Sequence, residues 1–349
     1  MGRATASARP LRRARVPASM PNWTRRLVFG TPLHLALLVH RADRGGAEEV
    51  RRALDGALGA FLDAYKMALD DDDADRLALR LARLPDVVRG FAYEGAGAAL
   101  TVLDRFRPAP KSRFAALLRG PGEPFAVLLH VGAGLALARL SRHLEDDTRD
   151  RDPEMRYFPI DGYGFERGVF AGARVVAGGE VPRLSAYGRR AFDQGLGRGL
   201  WFREATDLGR IARTIAGLTP ARHADLWSGV GLAIAYAGPN TEATLAKLAE
   251  AAGPHRPSVQ LGVACAAFLR SQGHNPSPYT ERASFVLCGL PAERAAEAAR
   301  RIMQALREAE GRPDAADNPY EAFRVGLQAL VSAPAAAAQP PRHSLSAGV

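Results

Sequence analysis

The sequence predicts an all-α protein of tandem helix-turn-helix repeats, each about 33 residues long, wound into a solenoid-like (TPR-like) superhelix. Three observations predict it. A Gly-x-Gly pair recurs inside otherwise helical runs, at Gly95/Gly97, Gly132/Gly134, Gly162/Gly164, Gly195/Gly197 and Gly229/Gly231, then in weakened form as Gly262/Ala264. The steps between first glycines are 37, 30, 33, 34 and 33 residues. The residue four places after each first glycine is Ala99, Ala136, Glu166, Gly199, Ala233 or Ala266, small in all but one case. Small residues at i and i+4 share one helix face, so two backbones can come close there. Gly188, Phe192, Gly195 and Gly199 form one such face, and Gly229, Ala233 and Ala237 another. Glycine inside a helix is unfavourable by about 0.5–1 kcal/mol, so its repeated use implies a packing gain at each site. A dinucleotide-binding loop needs a β-strand directly before its glycines. No β-branched strand precedes any of these.

In chain order, residues 1–44 are a basic tail rich in Arg, Ala, Ser and Pro, expected to be disordered, with Met20 offering a second start. Residues 45–85 form a helical cap. Within it Val50, Leu54, Leu58, Phe61, Leu62 and Tyr65 make an apolar stripe at helical spacing. The acidic run Asp70–Asp73 with Asp75 suits the positive N-terminal end of the next helix. It lacks the turn glycine and terminal Glu of a calcium loop. The repeat domain spans 86–333, with a Pro-rich break at Pro108, Pro110, Pro121 and Pro124 that accounts for the long first step. Shorter partner helices are expected at Asp207–Leu218, capped by Thr206 or Asp207, and at Thr241–Ala252, capped by Asn240. The irregular stretch Ala171–Leu184 is expected to loop over one face and cover a site. Long helices follow from Pro291 to Glu310 and from Pro319 to about Ala333, and a disordered tail occupies 334–349.

The formal charge of +10 suggests a nucleic-acid binder until it is located. Seven arginines and no carboxylate fall within residues 1–40, which leaves +3 for the rest. A nearly balanced folded part presents no basic nucleic-acid face. The two cysteines, Cys265 and Cys288, support neither a zinc site nor a disulfide framework and fit reduced thiols in the cytoplasm. The apolar run Leu33–Val39 is far shorter than the roughly 20 residues that span a bilayer. Arg25-Arg26 ahead of it begin a twin-arginine pattern, but His40-Arg41-Ala42-Asp43 stand where a cleavage site belongs. No cofactor motif and no metal-ligand pair at i and i+4 is visible. His130 reads as a hydrogen-bonded core or groove histidine rather than a ligand.

Glu94, Asp161, Gln194 and Ser228 each directly precede a first glycine, so a shared register would turn four polar side chains the same way. Glu94, Asp161, Glu166, Asp193 and Glu204 are therefore the acid–base candidates. Tyr93, Tyr163, Arg167, Arg198, Trp201, Arg203 and Trp227 are the candidates for lining a substrate groove. The competing reading, ion pairs that hold successive repeats in register and aromatic rings that fill the core, is the commoner fate of such residues.

The segments RGFAYEGAGAALTVLD, IDGYGFERGVF, AFDQGLGRGLWF and ADLWSGVGLAIAYAG resemble an actinobacterial family of unknown function whose members accompany enediyne polyketide synthases. The likeness spans about Pro85–Leu290 and leaves out the Arg-rich start and the tails. It implies a role in building or maturing the enediyne core beside other unassigned proteins of the same cassette, one of them a membrane protein and one propeller-like and calcium-associated. It assigns no catalytic residue. Three functions follow as expectations: an accessory protein that binds a polyene-derived intermediate, partner enzymes, or both, through a helical groove; a cofactor-independent enzyme acting on the polyene; or a protein–protein scaffold. Each implies a cytoplasmic protein that meets a membrane only through a partner.

Overall fold

The computed structural model describes residues 48–106, 112–140, 144–148, 155–170, 183–204, 207–310 and 318–332. The basic stretch 1–44, the tail 334–349, Pro108, Pro110, Thr206 and nearly all of the loop after Ala171 lie outside the described residues. Among those described, every regular element is a helix. Nine long helices carry the architecture: α1 (Glu48–Asp70), α2 (Asp86–Phe106), α3 (Ala126–Leu140), α4 (Phe158–Phe170), α5 (Ala186–Arg203), α6 (His223–Ala237), α7 (Arg256–Gln272), α8 (Ala292–Ala309) and α9 (Pro319–Ser332). Short helices fill the connections, among them Ala74–Leu81, Leu208–Ala216 and Glu242–Ala252.

From α1 to α7 each long helix packs mainly on the one before it and the one after it. α8 and α9 lie together against α7. The glycine pairs explain how the long helices approach. A Cβ on the first glycine of a pair would strike the backbone carbonyl of the preceding helix: Gly132 faces Glu94, Gly162 faces Val131, Gly195 faces Asp161 and Gly229 faces Gln194. A Cβ on the second would strike the following helix, as Gly97 does Leu129 at 2.5 Å and Gly164 does Phe192. One glycine therefore serves each neighbour, which is why they come in pairs. Gly195 meets Asp161 and Gly199 meets Phe165 one turn further along, so α4 and α5 run in the same direction. Gly95 makes the same contact with Phe61 on α1. That helix keeps the 33-residue register, with Leu62 where the later helices have glycine.

The connections start where side chains can satisfy free amides. Asp73 accepts from Arg76 N at 2.9 Å, Ser185 from Gly188 N at 3.0 Å and Asp207 from Arg210 N at 3.0 Å. The acidic run is occupied by arginines: Asp71 takes Arg76 at 2.8 Å and Asp72 takes Arg113 at 2.5 Å. The helix Glu242–Ala252 departs from expectation by one residue. Thr241 caps it in a reciprocal capping box with Thr244. Asn240 instead donates to Ile234 O at 2.9 Å and Tyr279 O at 3.0 Å. Of the two places expected for His130, core or groove, it takes the core, buried with its Nδ1 2.8 Å from Ala126 O.

The far end of the array returns to its beginning. Arg270, near the end of α7 and 2% exposed, donates to Asp86 O at 3.2 Å and Val87 O at 3.0 Å in the first turn of α2. It also donates to Tyr236 O at 2.5 Å and lies over the Tyr236 ring at 3.9 Å. Tyr236 in turn meets Phe91 edge to face. The segment Glu123–Leu140, apolar enough by length and composition to cross a membrane, is mostly buried here, with α3 packed between α2 and α4.

Replacing Gly132 or Gly195 by Ala forces a carbonyl aside and is expected to lower unfolding free energy by about 1–3 kcal/mol in urea titrations. Gly59→Ala, on α1 with nothing within 4 Å of the added methyl, is expected to raise it by about 0.4–1 kcal/mol. Equal effects at the three sites would refute the close-approach role of the pairs.

Candidate functional site

The register that places a first glycine on its neighbour also turns the preceding residue into the interior. Glu94, Asp161, Gln194 and Ser228 are all at most 5% exposed and form a chain of contacts. Ser228 donates to Gln194 Oε1 at 3.4 Å, and Gln194 Nε2 donates to Asp161 Oδ2 at 3.2 Å. Arg198, one turn after Gln194, places Nη2 2.5 Å from Asp161 Oδ1 and Nη1 3.9 Å from Glu94. Its guanidinium lies over the Phe165 ring at 4.9 Å.

Asp161, Gln194 and Arg198 sit at the buried end of a cavity between α3, α4, α5, α6, α7, α8 and α9. Its floor is Asp161, Gln194, Arg198, Tyr320 and Arg324; its walls include Leu128, Val131, Leu232, Phe268, Leu306 and Phe323. Glu123, Gln272 and Arg307 are exposed lining residues and mark the opening. The enclosed volume is about 90 Å³. That is several water sites but less than the roughly 150 Å³ that holds a benzene ring. A longer molecule must therefore extend through the opening or displace α8 and α9.

α9 closes the floor, and the sequence alone did not single it out. Tyr320 accepts from Gln194 Nε2 at 3.4 Å and packs against Tyr157, Phe158 and Tyr187. Arg324 donates to Asp225 at 2.6 Å; Arg190 donates to the same carboxylate at 3.0 Å and to Glu321, which also accepts from Tyr187 at 2.7 Å. This ladder of two carboxylates and two arginines straps α9 onto α5 and α6.

The remaining sequence candidates lie elsewhere. Glu166 is buried against Arg139 at 2.6 Å and Arg167 at 3.6 Å, tying α4 to α3. Asp193 is gripped by Arg222 at 2.9 Å, and Glu204 faces Arg203 at 3.5 Å and Arg210 at 3.8 Å. Arg203 also donates to Val169 O at 3.0 Å. Glu166 and Asp193 thus join neighbouring parts of the array, Glu204 makes local pairs at the end of α5, and none of the three lines the cavity. Tyr93 stacks on Phe125 at 4.0 Å, Tyr163 accepts from Arg167 at 3.1 Å and leans on Phe192, and Trp201 and Trp227 are buried. None of these four aromatics lines the cavity; of the twelve candidates only Asp161 and Arg198 do. Glu94 reaches the site through Arg198.

Burial pushes the Glu94 carboxyl up to about 7, with Asp161 adding to the rise and Arg198 opposing it. Burial raises Asp161 as well, again against Arg198. Cys265, on the wall, is a thiol raised to about 12 by burial and therefore inert. Among the described residues no group of three or more His, Cys, Asp or Glu side chains is placed to hold a metal ion.

Fold and site define a class: an all-helical protein whose successive long helices enclose a small cavity with apolar walls and a polar, charge-paired floor. Residues 20–331 match a family model described as a protein of unknown function, DUF1702, and the chain belongs to that family. No curated protein and no solved structure matches it.

The unfolded chain gives up the Glu94 proton near 4.5 and the folded protein near 7, so the native state binds more protons between these values. This group's contribution is full below about 4.5 and is lost as pH rises through 7, on the order of 3 kcal/mol. Glu94→Gln is expected to flatten the decline of urea stability between pH 5 and pH 8. An unchanged slope would assign the titration to another group.

Proposed function

We propose that this protein binds an elongated, largely apolar small molecule in the cavity beneath α9, and that it does so as an accessory factor in the assembly or maturation of an enediyne polyketide core. The observation that carries the binding reading is the graded cavity: exposed rim, apolar walls, buried polar floor. Such sites orient a ligand by a few polar groups and hold it by apolar burial. The resemblance of the glycine-bearing segments supports the pathway, a polyene-derived intermediate as ligand, cassette proteins as partners and a cytoplasmic setting. The 33-residue register supports a solenoid-like winding of TPR-like units whose inner side carries the floor.

A second reading is a cofactor-independent enzyme acting on the same molecule. A carboxyl near 7 beside an arginine favours it, because proton transfer is most effective when the group titrates near the working pH. Asp161 would face the ligand and Glu94 would act through Arg198. The ion pairs at Glu166, Asp193 and Glu204 support the structural share of the charged residues rather than chemistry.

Diphenylhexatriene, a fluorescent hydrocarbon polyene, tests the binding reading directly. Its emission should rise on titration with the protein, and Leu306→Trp at the half-buried wall should weaken it about tenfold or more with little change in melting temperature. Equal binding by the variant would move the site elsewhere. Asp161→Asn or Glu94→Gln should abolish turnover and spare probe binding only under the enzyme reading.

A further inference from the structure

Two arginines at the cavity floor carry N–H groups that no described residue accepts. Arg324, 4% exposed, uses Nη2 on Asp225 and leaves Nε and Nη1 buried without a hydrogen-bond partner. Arg198, 7% exposed, leaves Nε in the same condition. They stand on different helices, α9 and α5, and both line the cavity. Buried donors are nearly always satisfied, and a charged donor makes a hydrogen bond roughly twice as strong as a neutral one. Three buried guanidinium nitrogens of lining residues are thus open to an acceptor oxygen.

The charges decide which kind. Arg324 and Arg190 stand against Asp225 and Glu321, two against two. Arg198 stands against both Asp161 and Glu94. No positive charge is left over, so an incoming carboxylate would add an unbalanced negative charge to a buried group. A neutral oxygen accepts the same hydrogen bonds without that penalty.

We propose that Arg324 and Arg198 hold a neutral carbonyl oxygen at the buried end of the ligand, which is an apolar chain ending in a ketone or aldehyde that enters oxygen first. This rests on the reading of the cavity as a ligand site. About 90 Å³ leaves no room for a carrier arm at that end, so the buried oxygen is that of a free ketone or aldehyde rather than of a carrier-bound thioester.

The test is displacement of diphenylhexatriene from the full chain by a methyl ketone, an n-alkane and a fatty carboxylate of one carbon number at pH 8. The ketone should compete about tenfold or more better than the alkane and better than the carboxylate. In Arg324→Met combined with Asp225→Asn, which removes the buried charge together with its partner's, the ketone's advantage over the alkane should be lost, read as the ratio of the two displacement constants so that any change in probe affinity cancels. Ketone and alkane competing equally in the natural protein overturns the inference and leaves the binding reading standing; a carboxylate that competes best overturns the neutral head. If the double variant does not fold, the series on the natural protein decides alone. Failure of the probe to bind, with no thermal shift from the ketone, overturns the cavity reading and this inference with it.

Discussion

Two helix backbones touching through glycine is the contact on which everything else in this protein depends. Ordinary helices sit about 8–10 Å apart because side chains intervene. Here the first glycine of each pair admits the carbonyl of the helix before, and the second admits the helix after. The repeated contact fixes rotation as well as distance. Once Gly195 is seated on Asp161, Gln194 and Arg198 have no freedom about the helix axis, and they face the floor. Site geometry is a by-product of backbone contact.

A floor set this way can hold groups that would otherwise be too unfavourable to bury. Arg198 with Asp161 and Glu94, and Arg324 with Asp225, are desolvated ion pairs, which contribute little net stability and become strongly destabilising if one member is lost. They lie in an interior otherwise rich in Ala, Leu and Gly, where Arg324 with Asp225 holds α9 and, in the function proposed above, the same groups would meet the ligand. α9 completes the arrangement from outside the repeating series, held by a ladder of charges and by an aromatic box around Tyr320.

The helical class, the period and the polar register at Glu94, Asp161, Gln194 and Ser228 were legible in the sequence, because a steric demand that repeats in space must repeat along the chain. Asp193 illustrates the limit. It was a candidate for its charge, yet it lies one residue before Gln194, and one residue turns a helix by about 100°; it meets Arg222 instead. Arg198, four residues after Gln194, shares its face, so spacing was the better guide than charge. Tyr320 and Arg324 were beyond reach: Tyr320 meets Gln194 across 126 residues, and Arg324 meets Asp225 across 99. Nothing in the 33-residue period points to α9.

The clasp made by Arg270 changes what kind of folding unit this is. In an open array of repeats, stability is close to a sum of neighbour terms, and one unit can be added or removed at little expense to the rest. A guanidinium that joins chain positions 184 residues apart makes the first turn of α2 a structural partner of the last turn of α7. Shortening the array by one unit would unseat both ends at once. The number of units is thereby tied to the clasp, and with it the width of the space between them.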